Sequence, residues 1–336
     1  MALATELWAV VLAAGDGTRL RELTTGPNGE CVPKQFCSVD GGPTLLRRAV
    51  SRGVSLAGRE RTTAVVARDH QRWWSSQLAD LPPENLIVQP CNRGTACGLL
   101  LPLLTILRRD PDATLIVLPS DHVVADEDVL AEAVQRACRA VQDGLDSSLI
   151  LLGVEPDRID EGYGWVLPGE VAESGSRTVV SFFEKPDDKA AEELMRRGAL
   201  WNSFIFVAHA QALFALFAGV MPWLVRLFGY ATRPNSESEK WIPPLDDLFI
   251  SLPTYDFSQS FLQQAPDQLR VMAVPPCGWS DIGTPKRIGD WVARSEACPL
   301  PEQPRRPGEA PLDLAESLRT RQPAVSNPLT GSPTRG

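Results

Sequence analysis

Histidine is scarce in this chain: His70, His122 and His209 are the only three among 336 residues. That leaves little material for a multi-histidine metal site or for a nucleophile activated by imidazole. The seven cysteines (Cys31, Cys37, Cys91, Cys97, Cys138, Cys277 and Cys298) include no C-x-x-C pair and are odd in number. Neither a zinc site nor a disulfide framework is suggested. There is no run of about eighteen apolar residues, and the N-terminus lacks a charged segment leading into a long apolar one; a soluble cytoplasmic protein without a membrane partner is the default. Positive charge is also in deficit, with 33 Lys and Arg against 42 Asp and Glu and a net charge of -9. A general nucleic-acid partner is therefore not expected, and anions must be met by local cations. The chemistry has to rest on Asp, Glu, Lys, Arg and backbone amides.

Val10 to Leu20 reads VVLAAGDGTRL, and PKQF follows at Pro33 to Phe36. The apolar run from Trp8 to Ala14 fits a fully buried strand, after which Gly15 and Gly17 permit backbone conformations that a Cβ resists. Amides in such a turn can face phosphate oxygens. Arg19 would add a planar fork of donors and Lys34 a point charge. Two better-known phosphate motifs do not fit. A Walker loop closes on Gly-Lys-Ser/Thr, but Thr18 and Arg19 follow the glycines here; the dinucleotide fingerprint needs a third glycine where Leu20 stands.

Strand-like and helix-like segments alternate through the first half. Strands are expected at Trp8 to Ala14, Thr63 to Ala67, Leu86 to Gln89, Thr114 to Pro119 and Ser148 to Val154, and helices at Pro43 to Gly53, Gln71 to Leu81, Thr95 to Arg109 and Asp128 to Asp143. This order implies an α/β fold: a Rossmann-like, doubly wound, mostly parallel sheet that binds ligands beyond the carboxyl ends of its strands. The second half is more mixed. It reads as a hairpin around Tyr163 to Pro168, strands at Val179 to Phe183, Ser203 to Ala208 and Leu269 to Val274, and helices from Asp188 and Ala210, with Pro222 to Pro244 irregular. Residues 1-297 form one expected domain and 298-336 a Pro-rich tail expected to be disordered, with a short amphipathic piece at Leu312 to Leu318 able to dock.

Five stretches, in order, resemble the sugar-1-phosphate nucleotidyltransferases, and among them the mannose-1-phosphate guanylyltransferases. They are LAAGDGTRL with PKQF; QPCNRGTA at Gln89 to Ala96; LPSDH at Leu118 to His122; FFEKP at Phe182 to Pro186 with WNS at Trp201 to Ser203; and TYDF at Thr254 to Phe257 with GWSDIGT at Gly278 to Thr284. The resemblance implies transfer of a nucleotidyl group from an NTP to a hexose 1-phosphate, releasing pyrophosphate. Its central problem is repulsion between anions, which positioned cations answer without a covalent nucleophile. By resemblance, Leu12, Ala13, Ala14, Gly15, Gly17, Thr18 and Ser120 meet the nucleotide, as do Gln89, Pro90, Arg93, Gly94 and Thr95. Arg19, Lys34 and Lys185 act on the phosphates. Gly164, Glu184, Asn202 and Asp256 face the sugar phosphate beside Lys185, and Asp121 with Asp281 holds Mg2+. Plainer roles stand beside these: Asp121 or Asp256 as a helix cap, Asp281 in a turn with Gly283, Trp201 as core packing.

The base-facing segment departs from the guanylyl pattern, which has Glu before the proline and Arg-Asn-Thr-Ala-Pro after it; here stand Gln89, Gly94 and Cys97. A Gln amide pairs well with uracil or thymine, whereas guanine's two adjacent donors suit a carboxylate. PKQF, PSDH, WNS and TYDF favour GTP and mannose 1-phosphate, with a uridylyl- or thymidylyltransferase acting on glucose 1-phosphate as the alternative. A non-catalytic sugar-nucleotide-binding regulator is a third reading; it would be expected to have lost a phosphate lysine or a metal aspartate, and none is missing. An added isomerase barrel is not expected, since the chain leaves no room for one. A homodimer stays open.

Overall fold

Residues 7 to 13 send alternate side chains into two apolar layers: Leu7, Ala9, Val11 and Ala13 into one, Trp8 and Val10 into the other. A strand buried on both faces needs helices on both sides, and the chain supplies them. The computed structural model describes residues 7–26, 28–144, 149–232, 244–297 and 312–321. In chain order the elements begin with β1 (Leu7–Ala13), α1 (Arg21–Thr24), α2 (Leu45–Ala57), β2 (Thr62–Ala67), α3 (Gln71–Trp74), β3 (Leu86–Gln89) and α4 (Gly94–Arg109). Next come β4 (Thr114–Pro119), α5 (Glu127–Gln142), β5 (Leu149–Val154), β6 (Gly164–Val171), β7 (Arg177–Glu184), α6 (Asp188–Arg196) and β8 (Leu200–His209). The chain continues through α7 (Ala210–Val220), α8 (Pro222–Ala231), α9 (Leu245–Ser251), β9 (Leu269–Val274), α10 (Pro285–Ala297) and α11 (Leu314–Arg321).

The strands form one sheet in the order β3-β2-β1-β4-β8-β5-β9-β7-β6. Only β7 and β8 run against the common direction, so the sheet is mostly parallel, as the β-α alternation implies. Helices α2, α5 and α10 cover one face, and α4, α7, α8 and α9 the other. Because β1, β3 and β4 are parallel, their carboxyl ends open on the same edge. The distant Gly278–Thr284 loop reaches that edge through a bridge in which Val123 and Ser280 exchange backbone hydrogen bonds of 2.9 and 3.0 Å.

Two sequence expectations are corrected. Residues 222–231 are helical, not irregular: Pro222 sits in the first turn, where its missing N–H costs nothing, and Leu224 and Phe228, one turn apart, are fully buried. The helix expected over Gln71 to Leu81 stops at Trp74 and gives way to turns. In the tail, the amphipathic piece at Leu312 to Leu318 docks as expected, while 298–311 and 322–336 lie outside the described residues. Asp313 Oδ1 accepts from the amides of Ala315 and Glu316 to cap α11, Leu314 is fully buried, and Ser38 exchanges backbone hydrogen bonds of 2.9 Å with Leu312 and Leu314. Three apolar side chains at helical spacing, Leu314, Ala315 and Leu318, seat α11 on the core. Leu314→Ala is expected to lower stability by about 2 kcal/mol, read by urea unfolding. No single helix among the described residues is long and apolar enough to cross a membrane.

Candidate active site

The Gly-rich turn after β1 and the PKQF segment shape one another. Gly17 has φ +63°, and a Cβ there would lie 2.8 Å from the Lys34 amide nitrogen. Gln35 is buried and its Nε2 donates to the carbonyls of Ala13, at 3.1 Å, and Gly15, at 2.7 Å. PKQF therefore clamps the turn as well as supplying a charge. Sequence reasoning missed this role of Gln35, whose only signal was its place beside Lys34. Ser120, after β4, donates its amide to the Leu12 carbonyl at 3.1 Å, and so seats the Asp121 backbone beside the turn.

Lys34 is buried, with Nζ 2.6 Å from the Asp281 carbonyl oxygen and 3.0 Å from Asp121 Oδ2. It draws together two aspartates that are far apart in sequence. Burial pushes the Asp121 carboxyl upward, but Lys34, His122 and Arg19 outweigh it and hold the group at about 2. Asp281 is likewise held below its ordinary value, because Lys34, Arg287 and His122 overcome the effect of burial. Burial pushes the His122 imidazole below its ordinary value against the pull of Asp121 and Asp281; Trp279 Nε1 donates to its Nδ1 at 3.3 Å, and its Nε2 stands 3.6 Å from Asp121 Oδ1. Asp121 caps no helix, that task falling to Asp126 for α5, whereas Asp281 does accept from the Gly283 amide in a turn.

A cavity of about 350 Å3 opens above these groups. Leu12, Ala13, Ala14, Gly15, Gly17, Arg19, Ser120, Asp121 and Asp281 line it, as do Gln89, Gly94 and Thr95, and Gly164, Glu184, Lys185, Asn202 and Asp256. Thr18 and Lys34 instead line an adjoining cavity of about 180 Å3, which shares Gly17, Arg19 and Asp121 with the first.

Gln89 is 1% exposed and borders the cavity, and its buried Oε1 has no hydrogen-bond partner among the described residues. The loop after it is stitched to the TYDF segment. Tyr255 donates its amide to the Arg93 carbonyl, Ala96 donates to the Tyr255 carbonyl, and the Phe257 amide donates to Thr95 Oγ1 at 2.7 Å. A Cβ on Gly94, at φ +83°, would come within 2.2 Å of the Tyr255 carbonyl oxygen. The glycine is thus required by close approach of two backbones. Pro90 and Arg93 are not in the cavity wall, and the Arg93 guanidinium donates to the carbonyls of Phe249 and Ile250 in α9. Asn92, missed from the sequence, donates to Asp16 Oδ2 at 3.0 Å.

Lys185 stands at φ +49° and pairs with Glu184, whose carboxyl burial pushes up despite that lysine. Asn202 sits where the β5–β8 register shifts, its Oδ1 accepting from the Phe204 amide at 3.1 Å. Asp256 lines the cavity and also accepts from the Gln259 amide at 3.0 Å, so its capping role and its cavity position coexist. Trp201 is core: it packs on Tyr163 with ring centroids 4.7 Å apart. Tyr163 and Trp279 line the cavity too, and neither was singled out from the sequence.

Asp121 and Asp281 are the side chains that could hold a metal. No group of three or more His, Cys, Asp or Glu is arranged to hold an ion among the described residues. Two carboxylates fit a hard cation that completes its shell with phosphate oxygens and water, and do not fit zinc.

Residues 8–296 match the family model for nucleotidyl transferases. The chain is 30% identical over 292 residues to a mannose-1-phosphate guanylyltransferase of Escherichia coli K12, covering 83% of this chain and 58% of the relative. It is 28% identical over 287 residues to mannose-1-phosphate guanylyltransferase RfbM of Salmonella typhimurium, covering 84% and 58%. The chain thus spans under two thirds of the length of these relatives. A solved structure described as mannose-1-phosphate geranyltransferase from Thermus thermophilus superposes with a TM-score of 0.73 at 25% identity, covering 86% of this chain and 79% of that one. The chain belongs to the nucleotidyl transferase family.

Proposed function

We propose that the protein transfers a guanylyl group from GTP to mannose 1-phosphate, giving GDP-mannose and pyrophosphate, with Mg2+ held by Asp121 and Asp281. The observation that carries this reading is the convergence of Asp121, Asp281 and the Gly-rich turn on one cavity, with Lys34 joining the two aspartate loops from the adjoining one. The curated relatives, which are mannose-1-phosphate guanylyltransferases, support the choice of base and sugar. A phosphate oxygen of the sugar phosphate bonds to the α-phosphorus, the bond from that phosphorus to the bridging oxygen breaks, and pyrophosphate departs with the electron pair. The attacking oxygen is already anionic, so no general base is needed. Lys34, Arg19 and the turn amides neutralise and orient the phosphates, where removal of one positioned donor costs about 10²–10³ in rate. Glu184, Asn202 and Asp256 face the sugar, with Lys185 beside its phosphate. Bound Mg2+ supplies Lewis-acid stabilisation of the phosphoryl oxygens.

One observation favours a second reading. Gln89 presents an amide where guanine would be met best by a carboxylate, and an amide's donor and acceptor match the edge of uracil or thymine. Pyrophosphate release measured with each NTP against mannose 1-phosphate and glucose 1-phosphate separates the two. GTP with mannose 1-phosphate is expected to be the fastest pair, and Gln89→Glu to raise the GTP:UTP ratio of kcat/KM about tenfold, one good hydrogen bond's worth. Preference for UTP or dTTP establishes the second reading, and no turnover with any pair overturns both.

A further inference from the structure

The two carboxylate oxygens of Asp281 are in different circumstances. Oδ1 accepts three hydrogen bonds, from Arg287 Nη1 at 2.7 Å, the Gly283 amide at 3.0 Å and the Tyr163 hydroxyl at 3.2 Å. Oδ2 accepts none among the described residues, the Arg19 guanidinium standing 4.0 Å from it. Arg287 is 4% exposed and fixed on every side. Its Nε donates to Asp160 Oδ2 at 3.2 Å, its Nη2 pairs with Asp160 Oδ1, and its guanidinium carbon lies 3.9 Å from the centre of the Tyr163 ring. Asp160 is held in turn by the Gly162 amide at 3.0 Å, and Gly162 has no space for a side chain, since a Cβ would meet Arg287 Nη2 at 2.6 Å.

We infer that Arg287, together with Tyr163, is a positioning residue for Asp281: the pair occupies Oδ1 and leaves Oδ2 alone to face the cavity. Arg287 does not line the cavity, so it acts through the aspartate. A planar guanidinium suits this task because it can serve two carboxylates at once while stacking on an aromatic face. An aspartate reduced to one available oxygen suits a small octahedral cation such as Mg2+ better than Ca2+, which accepts bidentate carboxylates. The inference rests on the metal reading proposed above. Removal of an outer partner of a metal ligand typically lowers metal affinity about 10–100-fold.

The test is Mn2+ binding to the purified full chain without nucleotide, following free Mn2+ by electron paramagnetic resonance, with circular dichroism melts to verify folding. Asp281→Asn serves as the reference and should lose binding. Tyr163→Phe, which removes one donor and keeps the ring, and Arg287→Lys are each expected to weaken Mn2+ binding about tenfold or more. Wild-type affinity in both, with Asp281→Asn impaired, overturns the inference and leaves the metal reading intact. Wild-type affinity in Asp281→Asn, or no saturable binding by the wild-type protein, removes the metal reading and the inference with it. If Arg287→Lys does not fold, Tyr163→Phe decides alone.

Discussion

Lys34→Met lowers the rate of pyrophosphate release about a thousandfold while the protein stays folded at neutral pH. Methionine keeps the length and apolar body of lysine and removes only the ammonium group, a buried cation that touches both aspartate loops. Loss of a preorganised charge from such a site costs about 10²–10³ in rate. Folding survives because Asp121, left without its partner, keeps 38% of its side chain open to water in the cavity. Steady-state kinetics with the preferred substrate pair provides the check, and a loss below tenfold removes Lys34 from the chemistry. Acid titration gives an independent reading. The Asp121 carboxyl lies at about 2 in the folded protein, against about 3.9 in an unfolded chain. A depressed carboxyl contributes stability that is complete above the unfolded value and is lost as pH falls through the folded one. Wild-type stability should therefore decline between about pH 4 and pH 2, and Lys34→Met should flatten that decline, as followed by urea midpoints.

Gly94→Ala is expected to have the largest structural effect of any single methyl added to the site. At φ +83° a non-glycine residue costs about 1–2 kcal/mol, and here the new carbon would also overlap the Tyr255 backbone, 2.2 Å from its carbonyl oxygen. Neither backbone can yield cheaply, because the Arg93–Tyr255 and Ala96–Tyr255 hydrogen bonds tie them together. The base-facing loop must separate from the TYDF segment, carrying Gln89 and Thr95 out of register. A loss of about 3 kcal/mol in stability and a tenfold or greater rise in KM for the nucleotide are expected, measured by urea unfolding and initial rates. Wild-type values for both would show that the loop opens freely and that the glycine faces only the base.

Gly94 also marks a limit of sequence reading. As a departure from the guanylyl pattern it looks like a statement about the base, yet its neighbours make it a statement about packing. Arg93 is a similar case: a cation in a base-facing motif is spent on two carbonyls of α9. Gln35, Asn92, Tyr163 and Arg287 escaped notice for the opposite reason, being ordinary polar residues whose partners lie far away in the chain. The helix at 222–231 was hidden by its prolines and loop-like surroundings, whereas the docked strap at 314–321 was legible as an amphipathic piece inside a Pro-rich tail.

The chain's own residues determined the β-α alternation, the strand ends where ligands gather, and the charged side chains available to meet phosphate, because hydrophobic periodicity and glycine punctuation are local properties. They placed Gly15, Gly17, Asp121 and Gln89 at the ends of parallel strands before any contact was known. Tertiary structure alone decided which charges meet. Lys34 touches the Asp281 carbonyl across 247 positions, and Arg287 and Tyr163 withdraw one oxygen of that aspartate. Such pairings depend on how the sheet edge brings distant loops within about 3 Å, hydrogen-bonding distance, and no spacing within a single segment encodes that approach.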